Sequence, residues 1–128
     1  MHKKISWPNN KSFAFTIFDD TDRANLKDNK LVYKFLDDLN FKTTKSVWVK
    51  NGISLDNDSG VTCDNQEYLK WLLMLKEKGF EIGYHNVACH SSRREEIELG
   101  LKKFINLFSQ NPNVMANHSS NKENIYWG

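Results

Sequence analysis

Short apolar runs alternate with longer amphipathic segments along this chain. Runs rich in β-branched and aromatic residues predict strands at 13–18, 43–49, 80–84 and 113–116. Between them lie longer segments in which apolar residues recur every three or four positions, and these segments predict helices. Strands that alternate with helices in this way are typical of a parallel α/β sheet.

The first predicted helix runs from about Lys27 to Asn40, since asparagine favours a helix end. Its apolar side chains share one face and are expected to pack on the sheet. They are Val32, Phe35, Leu36 and Leu39.

The other two predicted helices begin at capping-box signals, in which a cap residue is followed three positions later by glutamate. Asp64 with Glu67 begins the second helix, which extends to the following glycine. Ser92 with Glu95 begins the third helix, which ends near position 110. The strand predicted at 113–116 then follows the third helix.

Chain length limits the architecture. The sequence has 128 residues, which four strands and three helices fill as a single predicted domain over 1–128. A complete β/α barrel needs about 200 residues or more. We therefore expect either a small open α/β sheet or the first half of a larger domain.

Composition narrows the function classes. Lysine and arginine total 18 against 16 acidic residues, so the net charge of +2 does not favour nucleic-acid binding. There is no apolar stretch of membrane-spanning length and no secretory signal pattern. Cys63 and Cys89 are expected to stay reduced, and the predicted location is the cytoplasm.

Polar side chains follow the predicted strands. Asp19 and Asp20 follow the first strand, His85 and His90 follow the third, and His118 follows the fourth. The carboxyl ends of parallel strands meet at one edge of the sheet, where such folds place their chemistry. A carboxylate and two histidines can hold a divalent metal and leave positions open for water and substrate. The polar segment 56–60 is predicted to form a loop at the same edge.

Two of these segments resemble the polysaccharide deacetylases, which share the NodB homology domain. Residues 16–21 read Thr-Ile-Phe-Asp-Asp-Thr and are similar to the family's first motif, Thr-Phe-Asp-Asp-Gly, with one inserted residue and Thr21 in place of glycine. Residues 79–85 read Gly-Phe-Glu-Ile-Gly-Tyr-His and are similar to the lead-in to its second motif. The resemblance implies that Asp19 is the general base and that Asp20 and His85 are metal ligands.

The family's second histidine has two candidates here. Cys89 occupies the expected position, and His90 comes one residue later. Either could be the third ligand, and we favour His90 through a bulged loop. The family's third motif carries an arginine, which this chain lacks after the fourth strand, so His118 is assigned to acid catalysis or substrate binding.

The resemblance also implies a fold and an activity. The chain is expected to form about the first four strands of a distorted NodB-type β/α barrel. With a divalent metal, expected to be zinc, it would remove acetyl groups from an N-acetylated or O-acetylated sugar or another small acetylated substrate. The alternative is a degenerate, non-catalytic carbohydrate-binding or structural relative. The exposed edge of the fourth strand favours a homo-oligomer.

A second resemblance is weaker. Residues 18–22, Phe-Asp-Asp-Thr-Asp, are superficially similar to the Asp-x-Asp signature of haloacid dehalogenase phosphatases. Arg23 and Ala24 follow where that family has threonine or valine, and the histidines would have no role. The phosphatase therefore ranks below the deacetylase.

Overall fold

A parallel sheet of three strands in the order β1-β2-β3 forms the centre of the structure. The computed structural model describes residues 6–53, 59–119 and 121–124. Within these ranges the fold is mixed α/β, as predicted, and no helix is long and apolar enough to cross a membrane. The elements are a 3-10 turn at Pro8–Asn10, β1 (Phe18–Asp19), α1 (Leu26–Asp38), β2 (Thr44–Val47), α2 (Gln66–Glu77), β3 (Glu81–Tyr84) and α3 (Arg94–Phe108).

Strand β2 is the central strand. It pairs in parallel with β1 on one side and with β3 on the other. All of its residues are buried, as expected for a parallel strand covered on both faces. The core packed around the sheet is aliphatic and aromatic, and its largest fully buried members include Trp48, Tyr33, Tyr68, Tyr84, Phe104 and Phe108.

The prediction for the first strand was too long. Only the last residue of the predicted run 13–18 belongs to β1. Phe13 and Phe15 are more than 70% exposed, and the Phe15 ring stacks on Phe41 at a centroid distance of 6.1 Å. Strand β2 pairs with this segment only at Phe18 and Asp19, and the Thr44 N–H donates to the Ile17 carbonyl at 3.0 Å just before them. Among the described residues, no strand pairs with 13–16.

The predicted inner face of α1 was also wrong. Val32, Phe35 and Leu39 are all more than half exposed, whereas Tyr33 is buried and Leu36 is partly buried. Tyr33 packs edge-on against Trp71, with ring centroids 5.4 Å apart. The apolar spacing predicted the helix correctly, but burial of the Tyr33 ring and its polar contact with β1, described below, determine which side faces the sheet.

Helix α2 begins one residue later than its capping-box signal predicts. Its N-cap is Asn65, whose side-chain oxygen accepts a hydrogen bond from the Tyr68 N–H at 2.9 Å. The Asp64 carboxylate instead accepts from the Asn51 N–H at 2.9 Å and binds the Lys103 ammonium. Asp64 therefore joins three segments and does not cap the helix.

Helix α3 shows the same shift of one residue. Its N-cap is Arg93, and the Glu96 carboxylate accepts a hydrogen bond from the Arg93 N–H at 2.8 Å. The predicted cap, Ser92, donates its N–H to Glu123 at 3.1 Å. As with Asp64, the residue that the local pattern predicts as the cap contacts a distant segment of the chain instead.

The predicted fourth strand is reduced to a single parallel bridge between Tyr84 and Met115. Around it the Tyr84 N–H donates to the Val114 carbonyl, and the Ala116 N–H donates to the Tyr84 carbonyl, each at 3.0 Å. This bridge still brings the segment before His118 alongside β3.

Asp37, near the end of α1, provides a test of the packing between helices. Its carboxylate binds the ammonium groups of Lys42 and Lys78, and these hydrogen bonds lower its pKa to about 2. Because the pKa is depressed in the folded state, the stabilisation is present above the unfolded value near 3.8 and is lost as the pH falls through about 2. We expect the melting temperatures of the wild type and Asp37→Asn to differ most above pH 5.

That difference should close between pH 4 and pH 2, and it should also shrink at high salt. Asp38→Asn is the matched control, since Asp38 pairs only with the neighbouring Lys34 on the same helix at 2.6 Å. Thermal unfolding followed by circular dichroism measures both. A difference in melting temperature between the wild type and Asp37→Asn that does not change with pH would contradict the stabilising role of the Asp37 ion pairs.

Candidate metal centre

A tight turn after β1 carries two acidic side chains. Within it the Ala24 N–H donates to the Thr21 carbonyl at 3.1 Å. The Asp22 N–H lies 3.4 Å from Asp20 Oδ1, a local aspartate-to-backbone contact typical of such turns. The turn therefore places the Asp20 and Asp22 carboxylates at the carboxyl end of the sheet.

Gly60 packs directly against this turn. A Cβ atom at Gly60 would lie 2.6 Å from the Thr21 carbonyl oxygen and 2.7 Å from the Ala24 nitrogen. The adjacent Val61 N–H donates to the Ala24 carbonyl at 2.8 Å. Positions 56–58 of the predicted loop lie outside the described residues, but Gly60 lies at the predicted edge.

His85 follows β3 and reaches the same place. Its N–H donates to the Val47 carbonyl at 3.0 Å, which continues the ladder beyond β3. Its side chain is 3% exposed, and Nε2 lies 3.4 Å from Asp20 Oδ1 and 3.8 Å from Asp22 Oδ1. One ligand atom from each of these three residues lies within 4.8 Å of the others, a spacing that could hold a metal ion.

His118 lies on the other side of Asp22. Its Nε2 is 3.2 Å from Asp22 Oδ2, and its ring centroid is 6.2 Å from that of His85. Both rings pack against Trp48, at centroid distances of 5.6 and 5.7 Å. Trp48 is itself buried, so it forms an apolar wall that fixes both imidazoles.

The two imidazoles are buried without hydrogen bonds. Among the described residues, neither ring nitrogen of His85 or His118 has a hydrogen-bond partner, although both side chains are more than nine-tenths buried. Burial lowers the pKa of the His85 imidazole. The nearby Asp20 carboxylate acts in the opposite direction, whereas the nearby His118 and Lys45 side chains lower this pKa further. A neutral imidazole is the form that binds a metal, so the residues present fit a divalent cation.

Two asparagines brace the segments that carry the histidines. The Asn86 amide donates to Asn117 Oδ1 at 3.3 Å and to Glu123 Oε1 at 3.2 Å. Asn86 is buried and has a positive φ of 61°, a conformation that asparagine tolerates better than most residues. Because Asn86 follows His85 and Asn117 precedes His118, this amide bridge sets the spacing of the two imidazoles.

Asp19, the predicted base, has a contact set of its own. Its Oδ2 lies 3.0 Å from the Lys45 ammonium and accepts a hydrogen bond from the Tyr33 hydroxyl at 2.9 Å. Its carbonyl accepts from the Ser46 hydroxyl at 2.7 Å. The Lys45 side chain is fully buried, and this burial lowers its pKa, an effect that the Asp19 charge opposes. Lys45 thus supplies the cation beside the base for which the sequence offered no arginine.

The structure does not bring His90 into the acid-histidine group. Its Nδ1 contacts the Ser91 carbonyl at 2.9 Å, and His90 is not a member of the set that meets the ligand spacing among the described residues. Cys89 is buried and is not a member either. The predicted bulge that would carry His90 inward is thus not seen.

Asp22 is the residue that sequence reasoning missed. It was noticed only in the weak likeness to a phosphatase signature, yet it lies between His85 and His118. The available signal was the spacing Asp20-x-Asp22, which lets two carboxylates of one turn point the same way.

Searches against family models, curated proteins and solved structures found no match to this chain.

The contact of Gly60 with the acidic turn generates a prediction. Gly60→Ala must displace backbone atoms of Thr21 or Ala24, since both lie under 3.0 Å from the new Cβ. We expect a loss of about 1–3 kcal/mol of stability and a fall in metal affinity of about 10-fold or more. Urea unfolding and calorimetric metal titration measure the two effects.

Gly79→Ala is the control for this prediction. Gly79 has a φ of +88° and no atom within 4 Å of the added Cβ, so alanine there is strained without touching the turn. It should cost about 1 kcal/mol and leave metal affinity unchanged. If both variants weakened metal binding equally, the effect would be one of general stability.

Proposed function

We propose that this chain provides the metal-binding edge of a hydrolase of the polysaccharide deacetylase type. The observation that supports this most is the meeting of Asp20, Asp22 and His85 within 4.8 Å. Asp20 and His85 come from the two segments that resemble the family's first and second motifs, and Asp22 follows the first of these segments. The proposed reaction removes an acetyl group from an N-acetylated or O-acetylated sugar or a similar small substrate.

The exposure of the acids gives the proposed site an open side. The Asp20 side chain is 63% exposed, whereas the His85 side chain beside it is 3% exposed. Substrate would therefore approach over the carboxylates, while the imidazoles form the buried wall. Imidazole nitrogen and carboxylate oxygen together suit zinc and similar divalent ions, and we propose zinc as the natural metal.

The proposed chemistry divides between the ion and the chain. A divalent cation bound here would polarise the acyl carbonyl and stabilise negative charge on its oxygen. Asp19 would accept the proton of the attacking water, as the resemblance implies. The Lys45 ammonium and the Tyr33 hydroxyl hold one oxygen of Asp19, and this contact fixes the orientation of its carboxylate.

The strand order supports the barrel proposed for the fold. Each strand lies beside the preceding one, in the order β1-β2-β3, and the Met115 bridge continues this series next to β3. Consecutive parallel strands with an intervening helix are the repeating unit of a β/α barrel. We propose that the chain forms the first strands of a distorted barrel of the NodB type.

A specific observation favours the non-catalytic alternative. Asp19 Oδ2 is already bound by both Lys45 and Tyr33, so Asp19 also has a structural use. A relative that had lost catalysis could keep Asp19 for the sheet and keep the metal site for binding alone. Metal content and hydrolysis must therefore be measured separately.

The first measurement is metal binding by the purified chain. We expect one divalent ion per chain by elemental analysis and calorimetry with Zn²⁺, and loss of this ion in His85→Ala. A wild type without a bound ion under any loading condition would refute the proposed function.

The second measurement is acetate release from 4-nitrophenyl acetate and from N-acetylglucosamine oligomers. Asp19→Asn should keep the ion and lose about 100-fold or more in rate, the usual size of a general-base effect. Full activity of Asp19→Asn with metal bound would refute the base assignment. An ion that binds without acetate release from any probe would favour the non-catalytic role.

A further inference from the structure

His118 is one of the buried polar side chains at this edge that need an explanation. It is 7% exposed, and neither of its ring nitrogens has a hydrogen-bond partner among the described residues. A buried polar group without a partner costs free energy, so such a group in a folded protein needs an explanation. The same is true of His85, whose ring is 6.2 Å away.

A simple ion pair with Asp22 does not explain His118. Nε2 lies 3.2 Å from Asp22 Oδ2, but this approach lacks hydrogen-bond geometry. The ring instead packs against Trp48 at a centroid distance of 5.7 Å and stands nearly perpendicular to the His85 ring, at 82°. Two imidazoles whose nitrogens have no hydrogen-bond partner among the described residues lie beside the same Asp22 carboxylate, and a shared cation would satisfy both rings.

We propose that His118 is a metal ligand, so that the ion is held by two carboxylates and two imidazoles. Asp20 and Asp22 come from the turn after β1, His85 from the end of β3, and His118 from the segment after the Met115 bridge. This inference rests on the metal site of the proposed function and extends it. It replaces the acid or substrate-binding role that the sequence predicted for His118, and it places the second imidazole there and not at His90.

The ligand set bears on the coordination number of the ion. Four protein ligands fill the positions of a tetrahedral zinc, so the zinc of the proposed function would have to take water or substrate as a fifth ligand, an expansion that some catalytic zinc sites undergo. A site that also admits water and substrate needs five or six positions, which Mn²⁺, Fe²⁺ and Co²⁺ accept readily. The proposal therefore links the role of His118 to the coordination number of the bound ion.

The proposal also has a consequence for the fold. Among the described residues, the backbone of the segment that carries His118 joins the sheet through one bridge and two hydrogen bonds, both to Tyr84, and side-chain bonds of Asn113 and Asn117 add to this attachment. A ligand on this segment would couple metal binding to its attachment, because binding stabilises the conformation that binds. Metal should therefore slow hydrogen exchange at the Ala116 N–H, which donates to the Tyr84 carbonyl.

The test compares His118→Ala with His90→Ala in the full chain. These are identical substitutions at two histidines that both lie outside the set of three residues within 4.8 Å. They differ in their contacts, because His118 Nε2 lies 3.2 Å from Asp22, a member of that set, whereas the His90 ring contacts the Ser91 carbonyl. By calorimetry with Zn²⁺ and Co²⁺, we expect His118→Ala to lose about 100-fold or more in affinity, above the 10–100-fold typical of outer-shell changes. His90→Ala should stay within about twofold of the wild type, since its ring contacts the Ser91 carbonyl and not the acidic turn.

A direct readout begins with the wild type, and this part of the test does not depend on the folding of a variant. X-ray absorption of the Zn²⁺-loaded protein should show two imidazole ligands. The count should fall to one in His118→Ala and stay at two in His90→Ala. The visible absorption of the Co²⁺ form reports whether four or more ligands surround the ion. Metal should protect the Ala116 N–H from exchange in the wild type but not in His118→Ala.

Each contrary outcome has a distinct meaning. A wild type that binds no metal overturns the proposed function and this inference together. A bound ion with one imidazole, or unchanged affinity in His118→Ala, overturns this inference and leaves the proposed function standing. If His90→Ala removes an imidazole and His118→Ala does not, the second histidine ligand is His90 and the inference is wrong.

Discussion

The burial of a single lysine ammonium constrains the sheet and the site next to it. Lys45 lies on the central strand β2, and its side chain is fully buried. An ammonium in such a place is costly unless it is paired and hydrogen-bonded. Its partners are Asp19 Oδ2 at 3.0 Å and the Asp20 carbonyl at 3.5 Å. The lysine therefore fixes the end of β1 and the start of the acidic turn.

This constraint accounts for two features that differ from expectation. Strand β1 has only two residues, and one of them, Asp19, is held by side chains of β2 as well as by the ladder. Helix α1 turns Tyr33 inward because its hydroxyl binds the same carboxylate, and this leaves Val32 and Phe35 facing outward. The Tyr33 ring also packs edge-on against Trp71 and Phe80, so burial of this ring and the hydroxyl contact together orient the helix.

Local patterns predicted the order and type of the elements well, because strands and helices depend on periodicity and propensity along the chain. They also placed Asp20 and His85 at one edge, since parallel strands end together. They failed where contacts between distant segments decide. A lysine within a strand is usually taken to lie on an exposed face, so nothing in the sequence predicted that Lys45 would be buried. The contact between Asp22 and His118 depends on the turn after β1 and on the single bridge at Met115. The spacing of residues along the sequence predicts neither of them.

Two polar clusters at this edge differ in one informative respect. In the Lys45 cluster, the ammonium, the Asp19 carboxylate and the Tyr33 hydroxyl satisfy one another. In the second cluster, the amide bridge of Asn86 holds the backbone beside two imidazoles whose nitrogens find no hydrogen-bond partner among the described residues. A cluster that serves only the fold gains nothing from bare nitrogens, because each one costs desolvation energy. The contrast supports the proposal that the histidine side of this edge binds a ligand and that the lysine side holds it in position.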